Sequence, residues 1–247
     1  MSENARLLAK PNRATAAEQI TQTIFNAILD GTFQPGVPLR LQELARQLGT
    51  SMMPVREALR QLEGLGLVEI HTHRGAWVRA MTRTDLLDTY FTRINLEALA
   101  LSEAAKRFTP ADAERARHAL EEQAAARASG DPIRFRTAHE QFHFTLYQAC
   151  GSEWLMRSIL PAWRNSERYR IESMRHAEDR DKRRSEHDKI LGALMAGDAE
   201  TAVACLVRHL QTSMDLVLES LPAAGEGEDD GPYDLAQRLL RVRIDDR

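Results

Sequence analysis

Cysteine is nearly absent. The two present, Cys150 and Cys205, form neither a disulfide framework nor a paired zinc-finger spacing, which excludes the small secreted folds that depend on such staples. Long apolar runs are absent too: charges interrupt every stretch before it reaches the ~18 residues of a membrane span. The opening residues, MSENARLLAK, hold no apolar signal core, so the cytoplasm is the expected compartment. The net charge of -3 gives no broad attraction to nucleic acid. What remains is ordinary: 43% hydrophobic and 28% charged residues over 247 positions, enough for two domains.

The charge is unevenly spread. Residues 1–80 carry nine Lys/Arg against seven Asp/Glu, a balance of +2, and the remainder carries -5. That contrast permits a DNA-binding first domain without demonstrating one. Periodicity divides the chain at the same place. Residues 15–30 read as a helix, with Ile20, Ile24, Ala27 and Ile28 at helical spacing, Thr15 as cap and Gly31 as stop. A turn-rich connector over 33–38 leads to a short helix, LQELARQLG. Ser51 is then the expected cap of a third helix that carries Pro54 in its first turn and ends at Gly64 and Gly66. LVEIHTHRGAWVRAM alternates like a hairpin, with Arg74-Gly75 at the turn. From Asp85 to Leu221 strand patterning is missing, and six helices are expected near 84–108, 110–129, 132–149, 153–175, 179–196 and 199–220. PAAGEGEDDGP reads as an acidic linker, followed by DLAQRLLRVRI as a short helix or a disordered end.

Three helices and a hairpin in this order describe a winged helix-turn-helix. The third helix fits the major groove, with its first residues facing base edges. Arg56 can offer a two-pronged donor to guanine, and Arg60 lies one turn further on the same face. Ser51 with the open helix start suits a phosphate, as does Arg40, and the tip His73-Arg74-Gly75 suits the minor groove. The stretch PGVPLRLQELARQLGTSMMPVREALRQLEGLGLVEIHTHRGAWV resembles the DNA-binding domain of the GntR family of bacterial regulators. Met52 departs from that family, which usually has a polar or basic residue there, and puts one contact in doubt.

Eight histidines are present, and four are spaced for a common site. His139 and His143 are four apart on one helix, so their rings share a face. His187 and His209 lie ten before and twelve after Gly197, and an antiparallel pair of helices turning there brings them together. Converging neutral imidazoles suit zinc or nickel. His71, His73, His118 and His176 read as ordinary residues, or as DNA-proximal ones in the wing. HEQFH over 139–143 also fits the zinc-hydrolase helix, with Glu140 as general base. That alternative needs a third ligand and an open water position, and no glycine-rich extension follows His143.

RINLEALALSEAA, HEQFHFTLYQACGSEWL, SEHDKILGALMAGD and RHL resemble the FCD ligand-binding domain of the FadR-like branch of that family. The resemblance implies a metal held by an aspartate and three histidines, with His143, His187 and His209 at the histidine positions and His139 where the aspartate usually stands. Two outcomes are open: an all-imidazole site, which we favour, or a weakened site that leaves a polar pocket. The resemblance also implies a small carboxylate effector, a sugar acid or an aromatic acid. It places Arg93 at the effector, although Arg93 and Glu97 can equally form a surface ion pair. Arg164 and Asn165, with Arg168 and Tyr169, are further candidates, of which at least one must face solvent.

The expected protein is mainly α: a winged helix-turn-helix over 1–80, an all-helical FCD-type bundle over 81–221 and an acidic tail over 222–247. The expected function is that of a DNA-binding transcription regulator, as a homodimer on double-stranded operator DNA, with an organic-acid effector and repression as its mode. It is expected to be neither an enzyme nor membrane-bound. A protein-interaction module with neither activity is the remaining alternative.

Overall fold

The structure, a computed structural model, describes residues 15–176 and 180–221, without the side chains of 172–183. The tail expected over 222–247, its linker and its short helix lie outside the described residues, as does the side chain of His176. The chain divides between Ala80 and Met81 into two compact units.

The first unit begins with α1 (Ala16–Leu29). Thr15 caps it as expected, in a reciprocal arrangement: the Glu18 amide donates to Thr15 Oγ1 and the Thr15 amide to Glu18 Oε2. Such a box satisfies two amide donors that the first helical turn leaves open. α2 (Leu41–Gln47) and α3 (Met52–Gly64) follow. Ile20, Ile24 and Ile28 of α1 are buried, as are Val55, Ala58, Leu59 and Leu62 of α3, and α1 packs on α3. Each of these isoleucine, valine and leucine side chains contributes about 1.5–3 kcal/mol by leaving water.

Three antiparallel strands complete this unit: β1 (Pro38–Leu39), β2 (Val68–His71) and β3 (Gly75–Val78), in the order β1-β3-β2. β1 falls at the end of the connector read as turns alone. Two residues show no alternation, and only pairing of Pro38 with Trp77 and Leu39 with Ala76 reveals the strand. The wing turn also sits earlier than expected. His73 takes a left-handed φ of 63°, the Arg74 amide donates to the His71 carbonyl, and Gly75 opens β3 at φ 106°.

The second unit has six helices among the described residues: α4 (Arg83–Ala105), α5 (Pro110–Ala128), α6 (Pro132–Gln148), α7 (Glu153–His176), α8 (Arg180–Met195) and α9 (Ala199–Ser220). The breaks foreseen at Thr109-Pro110, Asp131-Pro132 and Gly197-Asp198 are helix starts. Thr109, Asp131 and Asp198 each accept an amide of the turn they precede, and both prolines fill first-turn positions where no N–H is required. α5 packs on α6, α8 on α9, and α4 on both α7 and α9. Tyr90, Leu101, Phe142, Leu146 and Trp163 lie at their centre. Arg93, Glu97, Glu167, Arg168 and Arg170 are buried there too, so neither α4 nor α7 turns a purely apolar face inward. No helix among the described residues is long and apolar enough to cross a membrane.

Candidate metal centre and nucleic-acid interface

α6 carries His139 and His143, α8 carries His187 and α9 carries His209, and all four are buried. One ligand atom from each lies within 4.8 Å of the others. Ring centroids are 4.7 Å apart for His139 and His143, and 4.7 Å for His187 and His209. The two pairs meet through His143, edge to face with His187 at 5.1 Å and stacked on His209 at 5.5 Å. Helical spacing within α6 makes the first pair, and the turn at Gly197 makes the second.

Burial, then the positive charge of Arg170, holds His139 well below the usual imidazole range. Burial, with the neighbouring histidines, does the same to His143. Both rings are therefore neutral, the form that binds metal. His139 Nδ1 and His143 Nε2 have no hydrogen-bond partner among the described residues. The outward nitrogens are engaged: His143 Nδ1 lies 3.1 Å from the Tyr147 hydroxyl, and His209 Nδ1 lies 2.8 Å from Glu186 Oε2. Burial, reinforced by Glu97, raises the Tyr147 phenol well above its normal range, so it keeps its proton. Neutral, buried, converging nitrogens with outer partners are the donor set of an imidazole-preferring divalent ion, and the residues present fit one.

A cavity of about 200 Å³ opens onto this cluster. His139, His187 and His209 form part of its wall, and so do Arg127, Arg170 and Arg184. Arg170 is buried and gripped by Glu167 at 2.7 and 2.8 Å. Arg184 donates to the Leu120 carbonyl at 2.9 Å, and Arg127 lies 5.0 Å from the Phe135 ring. Sequence reasoning missed these three arginines. They come from three helices with no shared spacing, so nothing local marks them.

None of the arginine and asparagine candidates read from the sequence lines that cavity. Arg93 pairs with Glu97 at 2.6 Å, as its spacing allowed, but the pair is buried rather than on the surface, and the guanidinium lies 4.5 Å from the Trp163 ring. Arg164 pairs with Glu140 at 2.8 Å. Asn165 donates to Asp85 and Thr89 of α4 and accepts from Arg168. Of the four candidates on α7, Arg164 is the partly exposed one, its side chain a quarter accessible, while Asn165, Arg168 and Tyr169 are buried.

The Arg164 contact also bears on the hydrolase alternative. Burial raises the Glu140 carboxyl above its normal range, and Arg164 opposes that rise. The carboxylate is spent on a cross-helix ion pair between α6 and α7, so the HEQFH stretch offers two imidazoles without a free general base.

In the first unit, all eight residues read as DNA contacts are exposed: Arg40, Ser51, Met52, Arg56, Arg60, His73, Arg74 and Gly75. Ser51 has N-cap dihedrals but makes no side-chain cap bond, which corrects the capping expectation. The first amides of α3 thus keep no partner from that hydroxyl, and an open helix start is a ready anion site. Met52 is 44% exposed and Met53 70% exposed, so the N-terminal end of α3 presents thioethers ahead of Arg56.

Comparison with known proteins fits both halves. Residues 16–78 match the family described as "Bacterial regulatory proteins, gntR family", and residues 88–212 match the FCD domain. A "Probable D-xylose utilization operon transcriptional repressor" of Paenarthrobacter nicotinovorans is 35% identical over 201 residues, covering 80% of this chain and 87% of that protein. The "HTH-type transcriptional repressor GlaR" of Escherichia coli K12 is 28% identical, covering 79% and 93%. Among solved structures, a transcriptional regulator of Rhodococcus sp. RHA1 superimposes with a TM-score of 0.70 at 25% identity, over 85% of this chain and all of that one. These relatives are transcription regulators rather than enzymes, and the hydrolase alternative finds no support among them. The chain belongs to the GntR family of bacterial transcription regulators and carries that family's FCD domain.

Proposed function

We propose that this chain is a repressor whose hold on its operator is set by a small carboxylate bound at a metal ion in the helical unit. The observation that carries the reading is the histidine cluster: four buried imidazoles from three helices, beside a cavity with arginine in its wall. His139, His143, His187 and His209 hold the ion, zinc or nickel. The ion supplies a Lewis-acidic position for a carboxylate, because four neutral ligands leave its charge uncompensated. Arg127, Arg170 and Arg184 replace Arg93, Arg164 and Asn165 as the residues that meet the rest of the effector. Of the two effector classes, a sugar acid is favoured by the relative named for D-xylose utilization.

On the DNA side, Arg56 and Arg60 read bases, Ser51 and Arg40 hold phosphates, and His73-Arg74-Gly75 enters the minor groove. The protein acts in the cytoplasm as a two-fold dimer on a near-palindromic site. The effector favours one arrangement of the DNA-binding units and so lowers operator affinity. Two measurements test this together: metal content per chain after purification without chelators or a His-tag, and operator affinity with and without sugar acids. Near one equivalent of zinc or nickel, with weaker operator binding on adding a sugar acid, is the expected result. Tight operator binding that ignores both metal and acid removes the sensor from this reading.

A further inference from the structure

Histidine binds a metal through a lone pair on one ring nitrogen only when the proton sits on the other, so whatever holds that proton decides whether a site is ready. Two of the four histidines here have their outward nitrogen held. His143 Nδ1 lies 3.1 Å from the Tyr147 hydroxyl, and that hydroxyl lies 2.6 Å from Glu97 Oε2. Glu97 in turn takes the Arg93 guanidinium on both oxygens, at 2.6 and 3.3 Å. All four side chains are buried, so water does not compete for these bonds.

Counting protons fixes the direction of the chain. A carboxylate paired with arginine only accepts. The single phenolic proton of Tyr147 therefore goes to Glu97, and the Tyr147 oxygen is left to accept. His143 Nδ1 must then carry the ring proton, which leaves the lone pair on Nε2, the atom with no partner among the described residues. The same count applies to His209. Glu186 Oε2, 2.8 Å from His209 Nδ1, accepts, so the His209 lone pair also lies on Nε2. One tautomer is set by α4 through Tyr147, the other by α8.

We infer that Tyr147, Glu97 and Glu186 are positioning residues for the metal ion: Tyr147 with Glu97 locks His143, and Glu186 locks His209, each with Nε2 ready to bind. This rests on the metal reading given above and adds to it residues outside the ligand set. Glu186 also places negative charge one hydrogen bond beyond an otherwise neutral shell, whereas the Glu97 carboxylate lies two bonds out, through the Tyr147 phenol, and is balanced by Arg93.

The test uses the full-length chain with zinc ion alone as probe. Zinc affinity by competition with a chromophoric chelator is expected to fall about 10–100-fold in Tyr147→Phe and in Glu186→Gln, the usual effect of losing an outer partner. Ring-nitrogen NMR of the zinc-free protein gives the second readout. Wild type is expected to show Nδ1–H at both His143 and His209. Tyr147→Phe should mix the tautomers of His143 alone, and Glu186→Gln those of His209 alone, a crossed pattern that misfolding does not produce. Wild type binding zinc while both variants bind it equally tightly, or with His143 and His209 unchanged in both, overturns the inference. Failure of wild type itself to take up zinc instead overturns the metal reading on which it rests.

Discussion

Arg56 and Arg60 stand in solvent on α3, whereas His139, His143, His187 and His209 are sealed among α6, α8 and α9. The same chain thus keeps one set of candidate functional side chains wet and another dry. The difference follows from what each set meets. A DNA groove is a large charged surface that comes to the protein, and exposed arginine answers it at little folding cost. A small ion must be surrounded, and neutral ligands tolerate burial where charged ones do not. The wet set is spread over the start of α2, α3 and the β2–β3 turn, so each member sits on its own stretch of backbone. The dry set is held by three helices, so its members depend on one another.

Several substitutions break or sharpen that contrast, the largest effect first. His143→Ala should abolish stoichiometric zinc or nickel binding, a loss of more than the roughly 100-fold ascribed to an outer partner. Because the ligands lie on the other unit, operator affinity without effector should stay within about 0.5 kcal/mol of wild type. Metal analysis and fluorescence anisotropy read the two halves of that statement. Arg56→Ala should do the reverse, costing about 1–3 kcal/mol of operator binding and relaxing base preference at one position while metal content is unchanged. A variant that lowers both equally would erase the distinction between the two regions.

Acid is the third lever. His139 and His143 have folded-state values depressed below the ordinary imidazole value of about 6.5. The unfolded chain therefore takes up protons first as pH falls, and stability present above about 6.5 is lost on the way down toward the depressed folded values. The metal-free protein should melt at progressively lower temperature between about pH 7 and pH 5. A His143→Ala protein should lose less over that interval, and a Tm independent of pH would contradict the burial of neutral rings. The smallest effect belongs to the wet region. His73 holds a left-handed backbone, and His73→Gly should add about 0.5 kcal/mol of stability, the difference between relieved strain and glycine's added chain entropy. Chemical denaturation measures that gain.

Legibility followed the same division. Helix starts at Thr15, Thr109 and Asp131 were readable because a cap and the turn it serves are neighbours in sequence. The His139–His143 pair was readable from helical spacing, and His187 with His209 from symmetry about Gly197. β1 was not, since two residues carry no period. Glu97, Tyr147 and Glu186 gave no signal as partners of the site, because the bonds that matter run between α4 and α6 and between α8 and α9. Arg93 misled for a related reason: its spacing to Glu97 is compatible with a surface pair, and only packing shows that both are buried. Ser51 occupied the expected place but not the expected bond.

His139 Nδ1 and His143 Nε2 sit in the core without a hydrogen-bond partner among the described residues, and each such atom costs about 1–3 kcal/mol. Under the proposed metal reading, a chain folded without the ion would carry that cost and a loaded one would not. A domain that carries such a cost opens more often, and an opened chain is what proteases cut. If the proposed ion binds, its supply would set how long each copy of the regulator survives, and scarcity would thin its numbers before any effector had been sensed.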